Sequence, residues 1–318
     1  MILRRLMIIL LLLAGQSIND ATEFQKTGTT GFVFLEVPVT PRYTALGETG
    51  ITLPDAGNEG LFINPALAAG QIRPQGVLFS YGQWYTDISQ QALAFTYHRA
   101  GFGTLGLSCL YLDYGRMDRT ANLTADRTGS YVALGHFNAH ALMIGISFSR
   151  YLTDKFAFGT SLKYAREKID RYQADNLMAD VGFLYHTGYR GLRIGAFLQN
   201  FGLESKYAVE KFKMPQLLKL GISAEVWGRI DSPNHLTILA EAVHPNDADE
   251  RIQLGGECVL NGILALRGGY KFGYQHEGLT AGFGVRLNLK GYPVFADFSF
   301  MQHEYLDNTL RYSLRWEF

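Results

Sequence analysis

Apolar and polar residues alternate along segments of about ten residues, from Gly76 to the end of the chain. In the stretch "FAFGTSLKY", every second residue from Phe156 to Tyr164 is mostly bulky and apolar, and the residues between them are small or charged. This period of two predicts β-strands, because successive side chains of a strand point to opposite faces. A soluble sandwich buries its bulky residues and exposes mixed polar ones, whereas a transmembrane barrel has an apolar lipid face and a small or polar lumen face. The sequence therefore predicts an all-β chain that forms a transmembrane antiparallel β-barrel.

Fourteen such segments follow one another in residues 76–318, which predicts fourteen strands. They begin near Gly76, Gln90, Gly103, Asn138, Lys155, Asp175, Gly191, Gln216, Asn234, Arg251, Ile263, Gly278, Pro293 and Asn308. The connections alternate between short and mostly longer ones, as expected for periplasmic turns and outer loops. We assign Ser130–Phe137 to a long outer loop, because a further strand there would make the number of strands odd.

The chain ends on "NTLRYSLRWEF", in which the apolar residues again occupy every second position. We expect their face to lie against lipid and the last strand to pair with the first, which satisfies its backbone edge. The stretch also resembles the C-terminal assembly signal of bacterial outer-membrane barrels. The residues that carry this resemblance are Tyr312, Leu314, Trp316 and Phe318.

The first residues have the pattern of an export signal. Arg4 and Arg5 precede an apolar run from Leu6 to Ala14, followed by small and polar residues. A membrane-spanning helix needs about 20 apolar residues, so the run is too short to span. We predict a signal peptide over residues 1–21 and a bacterial outer-membrane location for the mature chain.

Residues 22–75 are rich in glycine and proline, and they lack regular alternation. The segment is too long for a simple connector and too apolar for a free tail, so we predict a plug inside the lumen. Arg42 is expected to pair with a lumen carboxylate, and Gly47 to adopt a positive φ or to allow close packing. The candidate carboxylates are Asp180, Glu225, Glu241 and Glu257.

A turn is predicted within this segment, at Asn64–Pro65–Ala66. Pro65 fixes its own φ and pushes Asn64 toward an extended conformation, while the Asn64 side chain bonds the nearby backbone. Asn64 and Pro65, like Arg42 and Gly47, serve either to stabilise the plug alone or to take part in gating or ligand contact.

The stretch "PRYTALGETGITLPDAGNEGLFINPALAA" resembles the N-terminal signature of the PorV/PorQ family, relatives of the FadL-type barrels. Glu48 stands where that signature more often has glycine, and the resemblance continues in "LSCLYLDYGRMD", "SRYLTDKFAFGTSLKY", "MADVGFLYHTG" and "LQNFG". It covers most of the mature chain and leans toward the PorQ side. The matching positions are Arg42, Ala45, Leu46, Gly47, Asp55, Asn64, Pro65 and Ala66.

This resemblance implies a component of the type IX protein secretion machinery, which acts as an anchor and docking platform. Its partners would be outer-membrane lipid, a surface sortase and the translocon, and they would meet the outer loops Arg116–Phe137 and Gly202–Met214.

The alternative is a FadL-like transporter of hydrophobic solutes, which needs an apolar path through the lumen or a lateral gap. The predicted lumen rows carry mixed charges, and this favours a plugged scaffold. Those charged residues are Lys163, Asp180, Arg193, Lys219, Glu225, Arg267, Lys271, Arg286 and Asp297.

Other function classes find little support. The net formal charge is zero and there is no basic run, so nucleic acid is not an expected partner. The glycine motif "GFGTLG" continues into a strand instead of the helix that a dinucleotide site requires. We therefore expect no enzyme activity, no cofactor and no metal site, and we interpret "HPNDADE" as a solvated outer loop.

Overall fold

The computed structural model describes residues 28–122, 131–207, 210–274, 277–303 and 307–318. The predicted signal peptide therefore lies outside the described residues. No helix within these ranges is long and apolar enough to cross a membrane.

Fourteen antiparallel strands close into one barrel, which confirms the predicted fold class. The barrel strands are β1 (Gln75–Gln83), β2 (Ser89–Arg99), β3 (Gly103–Asn122), β4 (Tyr131–Thr153), β5 (Phe156–Ile169), β6 (Tyr172–His186), β7 (Arg193–Gly202), β10 (Leu217–Trp227), β11 (His235–Pro245), β12 (Arg251–Leu260), β13 (Leu264–Phe272), β14 (Glu277–Leu289), β15 (Tyr292–His303) and β16 (Thr309–Glu317). Two short strands, β8 (Ser205–Lys206) and β9 (Lys211–Phe212), pair with each other in the connection between β7 and β10.

The last strand closes the barrel against the first. Gly76 lies opposite Glu317 and Gln83 opposite Leu310, and the backbones of Gln75 and Phe318 exchange two hydrogen bonds of 2.9 Å. Closure removes the unpaired edge that β16 would otherwise expose to lipid. The start of β1 and the end of β16 lie at the end of the barrel with the short turns, which we take as periplasmic.

Side-chain exposure follows the predicted alternation. Leu162 is 59% exposed on the outer face of β5, whereas its neighbour Ser161 is 3% exposed on the lumen face. On β16, Leu314 points outward and Arg315 is buried inside. The outer face is therefore apolar, as a lipid-facing surface must be.

The prediction of an outer loop over Arg116–Phe137 is wrong for its described residues, which belong to β3 and β4. Residues 131–137 belong to β4 and pair with the end of β3, where Phe137 lies opposite Met117. The pairing shifts register between Asp113 and Arg116, and again between Arg119 and Thr120. Such bulges change which face a side chain occupies, so the period-two pattern breaks there. The sequence pattern therefore placed the end of β3 before its actual end.

Residues 28–74 are called here the N-terminal segment, and its part from Phe32 to Ala69 packs inside the barrel. Their short helices span Val33–Leu35, Pro41–Ala45, Gly57–Glu59, Gly60–Ile63 and Pro65–Gly70. Most side chains between Phe32 and Ala69 are buried.

Glycines of the barrel wall make room for this segment. A Cβ atom added to Gly159 on β5 would lie 2.2 Å from the backbone nitrogen of Ala66, and one added to Gly269 on β13 would lie 2.1 Å from that of Gly47. The small residues of the predicted lumen rows thus allow the backbone of the segment to approach the wall.

Candidate functional site

The lumen has two chemically different walls. The outer half of β2–β6, called here the apolar wall, presents hydrophobic side chains to the interior, and β10–β16, the charged wall, presents buried ionisable side chains. Next to the apolar wall, β5 and β6 also carry one buried ion pair, between Lys163 and Asp180 at 2.7 Å. The apolar wall consists of Ala92, Leu110, Leu112, Ala141, Met143, Ala165, Ala174 and Met178. The charged wall consists of Lys219, Glu225, Glu241, Glu257, Arg267, Lys271, Asp297, Arg311 and Arg315.

Glu257 is the centre of an ion-pair network on the charged wall. Arg42 donates from Nε and Nη2 to its two carboxylate oxygens at 2.9 and 2.7 Å. Arg267 donates to Glu257 at 2.6 Å and to Asp297 at 2.5 Å. The predicted carboxylate partner of Arg42 is therefore Glu257. Each buried charge here has an opposite partner, without which its burial would be strongly unfavourable.

Arg42 also joins two parts of the N-terminal segment. Its guanidinium donates to the backbone carbonyls of Pro54 and Asp55 at 3.0 and 3.3 Å. The residue therefore holds the segment to itself as well as to the wall.

The stretch around Gly47 is attached to the same wall. Gly47 has a φ of 67°, and its backbone nitrogen donates to the Thr280 hydroxyl at 2.9 Å. Glu241 accepts hydrogen bonds from the backbone nitrogens of Gly50 and Ile51 at 2.6 and 3.2 Å. Both properties expected of Gly47, a positive φ and a close approach, occur at this position.

Asn64, Pro65 and Ala66 lie on the other side of the lumen, against β5 and β6. Asn64 is extended, with φ −162° and ψ 112°, and its Oδ1 accepts from the Ala66 nitrogen at 3.0 Å. Its Nδ2 donates to the Ile51 carbonyl at 2.9 Å. The motif therefore forms the predicted turn, and it does not join Arg42 and Gly47 in one cluster.

The residues of the suggested assembly signal lie on β16 and, in the case of Phe318, directly after it, away from the lumen. Tyr312, Leu314 and Trp316 are exposed on the outer face, and the backbone of Phe318 bonds to Gln75. Their role in assembly stays a prediction.

The apolar wall is covered by aromatic residues from two directions. Phe32 and Phe34 of the N-terminal segment pack against it. The ring of Tyr207, in the connection between β7 and β10, stacks on Phe32 at 6.4 Å and on Phe212 at 4.9 Å. This connection, which the sequence suggested as a partner surface, thus contributes its described aromatic side chains to the lumen.

A buried carboxylate fixes this cover. Glu167 on β5 accepts hydrogen bonds from the hydroxyls of Tyr114, at 2.5 Å, and Tyr207. Burial, and then the hydrogen bond to Glu167, raise the pKa of Tyr207, so its hydroxyl remains a donor. The Glu167 side chain therefore holds both Tyr114 and Tyr207 over the apolar wall.

The sequence reasoning missed the apolar wall. In "LSCLYL", Leu110 and Leu112 point inward while Leu107 and Tyr111 point outward, so both faces of β3 carry apolar residues. The signal was present, because this strand lacks the polar second face seen in "FAFGTSLKY".

The N-terminal segment contributes to two cavities near opposite ends of the lumen. The outer one, of about 390 Å³, is lined by residues that include Glu36, Glu48 and Lys271. The periplasmic one, of about 500 Å³, is lined by residues that include Arg42 and Arg315.

No protein-family model and no curated protein matches this chain. Solved structures do match. The Pseudomonas putida toluene transporter TodX has a TM-score of 0.62 and 13% identity, covering 92% of this chain and 99% of that one. The Ralstonia pickettii toluene transporter TbuX has a TM-score of 0.60 and 15% identity, covering 87% and 97%. A Pseudomonas aeruginosa FadL homologue has a TM-score of 0.56 and 10% identity, covering 88% and 98%. The chain has the FadL-like outer-membrane β-barrel fold.

Proposed function

We propose that this protein is an outer-membrane channel for hydrophobic solutes, the alternative function considered from the sequence. The observation that carries the proposal is the apolar wall, a hydrophobic surface inside the lumen that reaches from Ala92 on β2 to Met178 on β6. On this wall a hydrophobic solute could bury its apolar surface in place of the side chains that now cover it.

A solute would enter from the outer end, where Tyr207 and Phe212 cover the apolar wall. It would replace the rings of Phe32 and Phe34 on that wall and so bury its own apolar surface. The charged wall would stay closed, because its ion pairs hold the N-terminal segment through Arg42 and Glu48.

The FadL-like fold supports this assignment, since proteins named as toluene transporters share it. An outer-membrane location, with residues 1–21 as the export signal, belongs to the same proposal.

Uptake of radiolabelled toluene by cells that express the protein tests the proposal. We expect Met143→Lys to lower uptake at least tenfold, because it places a charge in the middle of the apolar wall. Lys219→Met, a matched change on the charged wall, should retain most of the uptake. Equal uptake by the Met143→Lys variant and the unaltered protein, with both folded in the membrane, would overturn the proposal.

The role in type IX secretion, with a sortase and the translocon as partners, stays a prediction from the PorV/PorQ resemblance. Deletion of the gene separates the two functions. Normal delivery of secreted clients together with lost uptake of a hydrophobic solute supports the channel, and the opposite result supports the secretion platform.

A further inference from the structure

Several buried polar atoms without a hydrogen-bond partner in the protein lie along one side of the lumen, between the N-terminal segment and strands β15, β16, β1 and β2; others lie on β7, β11 and β12, at Gln199, Thr237, Glu241 and Gln253. We call the first of these regions the closing seam. On the segment side the residues are Thr40, Asn58, Glu59 and Gln71, and on the wall side they are Gln90, Ser299, Ser313 and Arg315. All eight are buried. None of the described inward-facing residues of β3–β6 has such an atom.

The pairing of the strands arranges these residues in successive rows. At the periplasmic end, Gly76 lies opposite Glu317, and a Cβ atom added to Gly76 would lie 3.2 Å from Nδ2 of Asn58 and 3.6 Å from Nε2 of Gln71. In the next row Arg315 lies opposite Leu78, and Nη1 of Arg315 donates to the carbonyls of Asp55 and Ala56, both at 2.7 Å. Its Nε has no hydrogen-bond partner in the protein and lies 3.9 Å from the Glu317 carboxylate.

The third row places Ser313 between Ser80 and Asp297. Ser80 donates to the carbonyl of Val39 at 2.7 Å, so the next residue, Thr40, lies beside the same row. The Thr40 and Ser313 hydroxyls both lack a protein partner.

The fourth row contains Arg311 between Gly82 and Ser299, with Gln90 on the far side of Gly82. Nε of Arg311 donates to the carbonyl of Pro38 at 3.0 Å. Both polar atoms of the Gln90 amide and the Ser299 hydroxyl lack protein partners.

These four rows extend about 20 Å along β16, and consecutive rows are about 7 Å apart. A gap of that size is bridged by about two water molecules at ordinary hydrogen-bond lengths. Because native proteins leave few buried polar groups unpaired, and buried water is their usual partner, every row offers binding sites for water.

We propose that the closing seam holds a continuous file of water and conducts water across the membrane while the N-terminal segment blocks larger solutes. The segment and the wall both contribute polar atoms, so the file needs no movement of the segment. The proposal does not depend on the passage of hydrophobic solutes, which uses the apolar wall.

Osmotic shrinkage of phosphatidylcholine vesicles that contain the folded protein tests this proposal, with sucrose as the osmolyte and light scattering as the readout. We expect the vesicles to shrink several-fold faster than protein-free ones. Ser313→Leu, which fills the third row, should remove at least two thirds of this increase. Ser147→Leu, on the opposite wall, should retain it, since Ser147 bonds to Ser161 at 2.7 Å and lies outside the seam.

Shrinkage equal to that of protein-free vesicles, or an equal loss in both leucine variants, would overturn the proposal. Heat-dependent migration on a denaturing gel shows that each variant is folded before it is measured.

A near-isosteric change gives a second readout that does not depend on filling the seam. If the Thr40 hydroxyl is dry and unpaired, Thr40→Val should raise the urea midpoint of unfolding; if water solvates it, the midpoint should stay the same or fall. Thr44→Val is the control, because the Thr44 hydroxyl already donates to the Thr40 carbonyl at 3.0 Å. A raised midpoint for Thr40→Val alone contradicts the water file.

Discussion

The apolar wall and the charged wall hold the same N-terminal segment by opposite means. Phe32 and Phe34 lie on the apolar wall through ring packing, which tolerates exchange for another apolar group. Arg42 is fixed to Glu257 by a two-point ion pair, which no uncharged group can replace without leaving a buried charge unpaired. The contacts with the apolar wall can therefore be exchanged for a solute, whereas the contacts with the charged wall hold the N-terminal segment in place.

The largest expected effect on stability comes from removing the Glu257 carboxylate from the charged wall. Glu257→Met leaves Arg42 without a carboxylate and should lower the free energy of unfolding by about 3–5 kcal/mol. Urea unfolding in detergent micelles measures it. The double variant Arg42→Met with Glu257→Met should lose less, because it removes both members of the pair. A loss below about 1 kcal/mol for the single change would mean that the network does not retain the segment.

The free-energy cost of a charge on the lipid face is a reference for the costs of changes in the two walls. Leu162→Arg, at mid-strand on β5, should cost about 2–4 kcal/mol because it places a cation in hydrocarbon. Leu162→Ile serves as the control and should be close to neutral. The same unfolding measurement applies, and a cost no larger than that of the control would argue against the assigned facing.

The apolar wall should respond more weakly to loss of packing. Met178→Ala should lower the free energy of unfolding by about 2 kcal/mol, at the low end for a buried methionine, because the segment can partly refill the space. Ser161→Ala on the neighbouring strand is the control. A cost above that of Glu257→Met would reverse the order of the two walls.

The last expected effect is a pH dependence in the outer cavity. Burial, and then the carboxylate of Asp247, raise the pKa of Glu36 from 4.5 to about 7. A raised pKa means that the folded state holds a proton which the unfolded state has released, so the contribution to stability is full below pH 4.5 and is lost as the pH rises through about 7.

We therefore expect the urea midpoint to fall between about pH 5 and about pH 8. Glu36→Gln, which cannot titrate, should show a smaller fall over that range. Identical pH profiles for the two proteins would exclude Glu36 as the cause.

Much of the barrel follows from local pattern. The start of β5 at Phe156 and of β12 at Arg251 agrees with the period-two reading, because a lipid face and a lumen face impose that period directly. The upper ends of β3 and β4 do not follow from it, since bulges near Arg116 and Thr120 shift the facing of the side chains.

The candidate site was only partly predictable. The sequence indicated that Arg42 needs a carboxylate, but choosing Glu257 from four candidates requires knowing which strand faces the helix Pro41–Ala45. The turn at Asn64 was predictable because its bonds to Ala66 are local. The closing seam was not, because its rows combine residues far apart in the chain.

The sequence by itself determined a closed barrel with an apolar exterior, since alternate residues in every strand must satisfy either lipid or lumen. It also indicated that residues 28–74 lack the alternation of a barrel strand. Only the tertiary structure decided that the lumen has one apolar and one charged wall, because that depends on which strands become neighbours around the cylinder. The physical reason is that alternation is a property of each strand alone, whereas the two walls arise from side chains of many strands packed against one segment.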